Sequence, residues 1–513
     1  MNVGVAIHAH ARGRPHATAV FDGALSLTYS ELDSRTNRLA NLLIGAHRVR
    51  AGDRVAVLLQ NRLEVVEAFG ACAKARAVYC GLNFRMSHAE YQAIFGNARP
   101  KVLITQAEFA ETAALLAAEF GVPVIDVDDP SERGYGALYS AAETPPATLH
   151  QGAPDDDFCI VYTSGTTGSP KGILFDARAV SQHAMVAALE YGMTPDSRWL
   201  TTIPHNSSVQ ITLAPSLFLG GAVGFLDGRG FDPHRFAAEA TAQRATHTYL
   251  VPTMLYRLLE AGLDRSDLPG LTSIGYGAAP ISPDRVVELV GRFGPVFSQL
   301  YGMAEVASIA TMLRQPDHER IGAGDTGLTA SCGRPSYLVD VRVVDENDDD
   351  VAPGERGEVL FHTPYAMREY YRDPERTKAT LVDGWVRSGD IGQWDDRGYL
   401  YIVDRKKDLI IRGGYNITPS EIENVLYRHP AVLEAAVVGL PDPEWGEAVV
   451  AAVALRDGHS LDTEAVRAWC RAEGLPSIKI PERLITVDTL PKNPVGKIAK
   501  REVVSLATRE ERS

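Results

Sequence analysis

The sequence predicts an α/β protein. It should comprise a large N-terminal domain of parallel-sheet α/β subdomains, a β-rich subdomain that closes it, and a small α+β C-terminal domain. Three observations predict this. Through the first four hundred residues, short apolar β-branched runs alternate with longer amphipathic ones. Residues 339–361 switch to two alternating runs about an acidic turn, and after Tyr401-Ile402-Val403 a charged, glycine-containing stretch opens a new unit.

Taken in chain order, RVAVLL (54–59), KVLIT (101–105), VPVIDV (122–127) and AVGFL (222–226) read as strands of parallel sheets. Between the first two, LEVVEAFGACAKA repeats apolar residues at three- and four-residue steps, so a helix is expected there. In VDVRVVDENDDDVAPGERGEVLF (339–361) the acidic, Pro/Gly-containing centre predicts an antiparallel hairpin. Beyond DRKKDLIIRGGYN, Ser420 and Glu423 have the spacing of a capping box. Ile422, Val425 and Leu426 form an apolar stripe, and Pro430 stops that helix. Strand-like EAAVVGL and VVAAVAL follow, then a helix around EAVRAWCRAEG. A boundary near residue 404 is expected, dividing 1–403 from 404–513.

A chain of 513 residues is too long for one ordinary core and can bury enough apolar surface to dispense with disulfides. The five cysteines form no CxxC pair and no zinc-spaced cluster, so a reducing cytoplasm is the expected setting. The N-terminal stretch lacks a continuous apolar core and no later run is long enough to span a bilayer, so a soluble, non-secreted protein is expected. With 51 basic against 65 acidic residues the net charge is −14, which argues against nucleic acid as a partner. It also means that a site for an anionic substrate must be built locally, from backbone amides, a few cations and a metal ion.

The strongest motif is Tyr162-Thr163-Ser164-Gly165-Thr166-Thr167-Gly168-Ser169-Pro170-Lys171-Gly172, directly after the apolar run FCIVY. Its glycines and hydroxyls make a turn able to surround phosphate oxygens, with the lysine as counter-charge. It is not a Walker A loop, because Gly172 follows the lysine where that pattern needs Ser or Thr. Further along stand Tyr301-Gly302-Met303-Ala304-Glu305, Ser388-Gly389-Asp390, Asp404-Arg405-Lys406-Lys407-Asp408, Gly413-Gly414-Tyr415-Asn416 and Pro491 to Lys497. Tyr301 offers an aromatic face for a base, and Glu305 is a hard oxygen ligand suited to Mg²⁺ bridging phosphates. Taken alone, YGMAE equally reads as a helix start with a buried tyrosine. Asp390 suits a pair of ribose hydroxyls as acceptor and Arg405 the same sugar as donor, although isolated Asp and Arg are more often surface charges.

In these six motifs, in their order and spacing, nearly the whole chain resembles the adenylate-forming superfamily of acyl-CoA synthetases, peptide-synthetase adenylation domains and luciferases. The pattern is most similar to acyl-CoA synthetases. The resemblance implies ATP-dependent conversion of a carboxylic acid to acyl-AMP with pyrophosphate release, then transfer to the thiol of coenzyme A, with ATP, Mg²⁺ and coenzyme A required. It implies nucleotide contacts from Thr163 to Gly168, from Gly277-Ala278-Ala279, from Gln299, and from Tyr301 to Ala304, with Glu305 on the metal. It further implies that Lys497 enters the large domain during adenylation and contacts the carboxylate and α-phosphate. The C-terminal domain then swivels about Lys407, and Gly413-Gly414 helps to form the pantetheine tunnel. A helix C-cap is the competing reading of those two glycines. In-line attack joins two anions, so Lys171, Lys497 and Mg²⁺ must supply charge neutralisation; one well-aimed cation is worth about 3 kcal/mol.

His205 matches a family position between acyl pocket and thiol tunnel, a gate or carboxylate contact, although Pro204 stands where an aromatic residue is usual. A purely structural histidine is the alternative. The family threonine before the glutamate is Ala304, which removes a hydroxyl donor. Two further readings stay open on that ground: an unusual acid such as nitrite in a diazo-forming relative, or an acceptor other than coenzyme A. A non-catalytic nucleotide-binding relative is the different-class alternative, and the late lysine speaks against it. The small, mostly uncharged residues around 205–210, 275–277 and 301–309 suit an apolar or aromatic acid. The sequence leaves the oligomeric state open, a homodimer included.

Overall fold

The structure is a computed structural model that describes residues 2–131, 134–163, 170–226, 230–405, 408–413, 415–443, 445–456, 458–492 and 498–510. The expected parallel sheets are present. In a seven-stranded sheet, Arg54–Leu58 pairs in parallel with Val78–Gly81 and Val102–Thr105, and Asp157–Thr163 and Val124–Asp126 extend it on either side. Lys171–Asp176 and then Glu369–Tyr370 add at one edge in the antiparallel sense. In a nine-stranded sheet, parallel pairings join Phe297–Tyr301, Ser273–Gly277, His247–Leu250, Arg198–Thr201, Ala222–Phe225 and Thr18–Asp22.

The helix Leu63–Ala75 follows Arg54–Leu58 as its apolar period requires, and it is buried along nearly its whole length. It lies in the largest apolar core, which takes Val20 and Val223 from the nine-stranded sheet and Val55, Val57 and Val161 from the seven-stranded one. Such complete burial demands that its charges be paired. Lys74 donates to Asp33, Thr36 and Asn37 of the helix Tyr29–Gly45, and Glu67 pairs with Arg35 of the same helix.

The 339–361 segment folds as expected. Asp340–Val344 pairs antiparallel with Gly357–His362, which pairs in turn with Trp385–Trp394, and Leu400–Arg405 completes that antiparallel sheet. A fourth sheet is drawn entirely from residues after 409, with Val432–Asp442 and Gly446–Leu455 as its long antiparallel pair. The capping box expected at Ser420 and Glu423 is absent. The helix is Pro419–Tyr427 with Thr418 as N-cap, because proline already fills the first position without an N–H to satisfy. Ser420 Oγ instead donates to Val403 O (2.6 Å), and Glu423 accepts from Val437 N (2.7 Å), so both side chains tie the helix to strands. Among the described residues no helix is long and apolar enough to cross a membrane, and no group of three His, Cys, Asp or Glu could hold a metal ion. All five cysteines are free thiols.

Candidate active site

Three of the sequence-predicted segments sit at the C-terminal ends of sheet strands: Thr163, Gly277 and Tyr301 end Asp157–Thr163, Ser273–Gly277 and Phe297–Tyr301. That is where open α/β sheets present ligand clefts. Thr163 and Lys171 are direct partners across an antiparallel pair, so the phosphate-loop motif is the connection of a hairpin. Gly172 is needed behind it, since a Cβ there would stand 2.9 Å from the Tyr162 ring. Ser164, Gly165, Thr166, Thr167 and Gly168 lie outside the described residues, as do Lys407, Gly414 and Lys497.

Glu305 comes from the short turn Ala304–Val306 that follows Tyr301, and it is only 6% exposed. Tyr370 donates its phenol hydrogen to Glu305 Oε1, and its ring lies beneath the Lys171 ammonium, 5.4 Å from the centroid. Arg376 covers the same ring at 5.7 Å. Burial lowers the Lys171 pKa; nearby Glu305 opposes this, and the charges of Arg376 and Arg405 add to the lowering. In a protein of net charge −14, Lys171 thus stands among two further cations, Arg376 and Arg405, and two carboxylates, Glu305 and Asp373. Tyr370 and Arg376, in the run YYRDPERT, belong to none of the motifs recognised from sequence, and only the pairing of Glu369–Tyr370 with Ile173 and Leu174 carries them to the site.

A second cluster joins the antiparallel sheet to the end of Phe297–Tyr301. Asp390 and Arg405 are cross-strand partners, with Arg405 Nε 3.3 Å from Asp390 Oδ1. Tyr301 donates to Asp390 Oδ2 at 2.8 Å. Burial, reinforced by the Asp390 charge, holds the Tyr301 phenol far above its ordinary pKa, so it remains a donor. Asp390 is 8% exposed whereas the Arg405 side chain is half-exposed, a buried acceptor beside a solvent-facing donor.

The GAAP segment has the narrow profile expected of it. Gly277 adopts φ +152°, a Cβ there would stand 2.4 Å from Leu300 O, and Ala278 follows in the left-handed region at φ +67°. Ala278 is exposed; Ala279, Gly302, Met303 and Ala304 are half-buried. Gln299 is buried, and its Oε1 has no hydrogen-bond partner among the described residues. A buried acceptor left in that state fits a missing amine or amide donor such as an adenine edge.

His205 is fully buried, with Nδ1 2.9 Å from the Tyr79 hydroxyl, and burial pushes its pKa down to about 4. The imidazole is therefore neutral at physiological pH and buried beside the Tyr79 hydroxyl. Gly413 has φ +56°, its N–H donates to Trp445 O at 2.7 Å, and a Cβ would stand 2.9 Å from the Trp445 ring. Close backbone approach is thus real there, although the partner seen is an indole. Beside the ends of Ser273–Gly277 and Phe297–Tyr301 lies a compact apolar cluster that includes Ile203, Ile211, Tyr249, Leu300, Ile309 and Met312.

The donor set suits a nucleoside triphosphate with a divalent cation. A buried carboxylate stands beside a lysine at the end of the hairpin, a buried aspartate paired with a half-exposed guanidinium suits a diol, and a buried amide oxygen lacks a donor. Residues 7–371 match the family model of the AMP-binding enzyme, and residues 421–497 that of the AMP-binding enzyme C-terminal domain. The chain is 38% identical over 500 residues to a feruloyl-CoA synthase of Amycolatopsis sp, covering 96% of each. It is 33% identical over 515 residues to the indoleacetate–CoA ligase of Aromatoleum aromaticum, covering 98% of each. ATP-bound MatB from Rhodopseudomonas palustris superposes with a TM-score of 0.87 at 30% identity over 99% of both chains.

Proposed function

The chain belongs to the AMP-binding enzyme family, and from that premise we propose that this site activates an aromatic or apolar carboxylic acid with ATP and passes it to coenzyme A. The observation that carries the reading is the convergence of Lys171, Glu305 and Tyr370 on one side and Tyr301, Asp390 and Arg405 on the other. In the first step a carboxylate oxygen attacks the α-phosphorus in line, the bond to the β-phosphate oxygen breaks, and pyrophosphate leaves with that electron pair. Asp390 and Arg405 hold the ribose, Gln299 and Gly277-Ala278-Ala279 receive the base, and Lys171 with the loop after Thr163 neutralises phosphate oxygens. Glu305 is the residue to hold Mg²⁺, which would withdraw charge from the phosphates. Lys497 completes the neutralisation on the carboxylate side.

In the second step the thiolate of coenzyme A adds to the acyl carbonyl carbon, the acyl–oxygen bond breaks, and AMP departs. We place the domain boundary near residue 404 and the pivot at Lys407. The confinement of the fourth sheet to residues after 409 supports this division. Gly413 and Gly414 line the thiol path. His205, kept neutral by burial and hydrogen-bonded through Nδ1 to Tyr79, serves as the gate or carboxylate contact between acyl pocket and thiol path. Five free thiols support a cytoplasmic setting.

The test is a panel of aryl and fatty acids assayed for pyrophosphate, with and without coenzyme A, with products read by mass spectrometry. Acyl-AMP without coenzyme A and acyl-CoA with it are expected. Pyrophosphate release from nitrite plus an aryl amine, with none from any carboxylate, overturns the reading and favours the unusual acid that Ala304 leaves open.

A further inference from the structure

Lys171 and Arg376 both lie over the ring of Tyr370. The Lys171 ammonium is 5.4 Å and the Arg376 guanidinium carbon 5.7 Å from its centroid, while the Tyr370 hydroxyl donates to Glu305. Strand pairing fixes where this guanidinium stands. Glu369–Tyr370 runs antiparallel to Lys171–Asp176, with Glu369 opposite Leu174 and Tyr370 opposite Ile173, and the Tyr371 N–H then donates to Gly172 O at 2.7 Å. Each step forward along 369–371 is therefore a step back toward Lys171, so the chain leaves the sheet at the phosphate-loop end of the hairpin. There it closes into a tight turn. Tyr370 N–H donates to Thr377 Oγ1 at 2.9 Å, Thr377 Oγ1 donates to Asp373 O at 2.8 Å, and Asp373 caps the helix Pro374–Thr380 by accepting from Arg376 N at 3.1 Å.

The Arg376 backbone is thus fixed, but its side chain is less committed. Among the described residues its one ion-pair partner is Asp373, through Nη1 at 3.4 Å, and the side chain remains partly exposed. It also stands close enough to Lys171 to repel it. After burial, the Arg376 charge is the largest influence that lowers the Lys171 pKa, and Glu305 and Asp373 oppose it. Arginine cannot relieve such repulsion by losing its proton. Two cations held together in this way, beside a hairpin suited to phosphate, are pre-organised for an anion of more than one charge. Contacts also give the order of the site. Asp390 binds Tyr301, Glu305 lies four residues further on, and Tyr370 binds Glu305, so the cations over Tyr370 come after the sugar and metal positions, where outer phosphates would lie.

We propose that Arg376 is a phosphate-binding residue whose guanidinium, together with the Lys171 ammonium, grips the β- and γ-phosphates of ATP and the pyrophosphate they become. The proposal rests on the acid-activating reading above and adds to it a residue for the leaving group. As the carboxylate oxygen bonds to the α-phosphorus, the bond from that phosphorus to the bridging oxygen breaks and its electron pair passes to the β-phosphate oxygen. Arg376 meets the added negative charge with a planar, two-pronged donor that a lysine cannot supply. It contacts neither the acid nor the AMP.

The experiment measures by calorimetry the affinity of the wild type, R376Q and R376K for ATP and for AMP, each with Mg²⁺ and without acid, and takes the inhibition constant of pyrophosphate from initial rates. R376Q is expected to weaken ATP and pyrophosphate by about tenfold or more and to leave AMP within about twofold, with R376K in between. AMP is the control because it lacks the two outer phosphates, whereas an arginine that only packs on Tyr370 would move both nucleotides alike. Should R376Q not fold, R376K carries the same comparison, since its point charge lacks the fork. Equal weakening of ATP and AMP, or no weakening of either, overturns the proposal while leaving the ligase reading intact. A wild type that binds neither ATP nor AMP overturns both.

Discussion

Tyr370 and Glu305 are joined by a hydrogen bond from phenol to carboxylate, and the ring of that same tyrosine lies under the Lys171 ammonium. Two segments separated by 65 residues are thereby locked with the candidate metal ligand facing the phosphate hairpin. Y370F keeps the ring under Lys171 and removes only the donor. We expect about a tenfold loss in kcat/KM for ATP, appearing as a raised Mg²⁺ requirement, because losing a hydrogen bond to a charged group costs about 1.5–3 kcal/mol. Titrating Mg²⁺ at fixed ATP checks this; a fall in melting temperature with an unchanged Mg²⁺ dependence would assign Tyr370 to folding alone.

D390N strips the charge that pairs with Arg405 while retaining an acceptor for Tyr301. The expected outcome is a KM for ATP raised by roughly tenfold or more, with a smaller change in the KM for the acid. Initial rates with each substrate varied in turn decide it.

Gly413 sits at φ +56° with the Trp445 ring 2.9 Å from its missing Cβ, so G413A both strains the backbone and displaces the indole. Acyl-AMP formation should persist, while its discharge by coenzyme A slows by an order of magnitude. Single-turnover mass spectrometry separates the two steps; equal slowing of both would detach Gly413 from the thiol path.

Four buried histidines make stability fall in acid. Burial holds His205, His247 and His318 at about 4 and His183 at about 3, against 6.5 for an exposed imidazole. Between pH 6.5 and 4 the unfolded chain binds more protons than the native one, so stability drops as pH drops. Each histidine contributes up to about 1.4 kcal/mol per pH unit in that window. Denaturant midpoints measured across it should fall, and less steeply in H318Q.

The motifs were legible because adenylation chemistry needs particular residue types at close sequence spacing, and the strands were legible because parallel sheets bury continuous apolar runs. What escaped was non-local. Tyr370 reaches Glu305 only after Glu369–Tyr370 adds to the sheet edge. The contact of His205 Nδ1 with the Tyr79 hydroxyl, 126 residues earlier, was equally invisible in the sequence. Locally, the capping-box spacing at Ser420 misled because Pro419 moved the helix start and freed both side chains to bind strands.

Isotope transfer from the acid to the nucleotide reports on the bond that this site is built to make. With a carboxylate substrate labelled in both oxygens with ¹⁸O, attack on the α-phosphorus must leave exactly one labelled oxygen in the AMP released after transfer to coenzyme A, with pyrophosphate unlabelled. Unlabelled AMP, or label found in inorganic phosphate beside ADP, would contradict adenylation at the residues named.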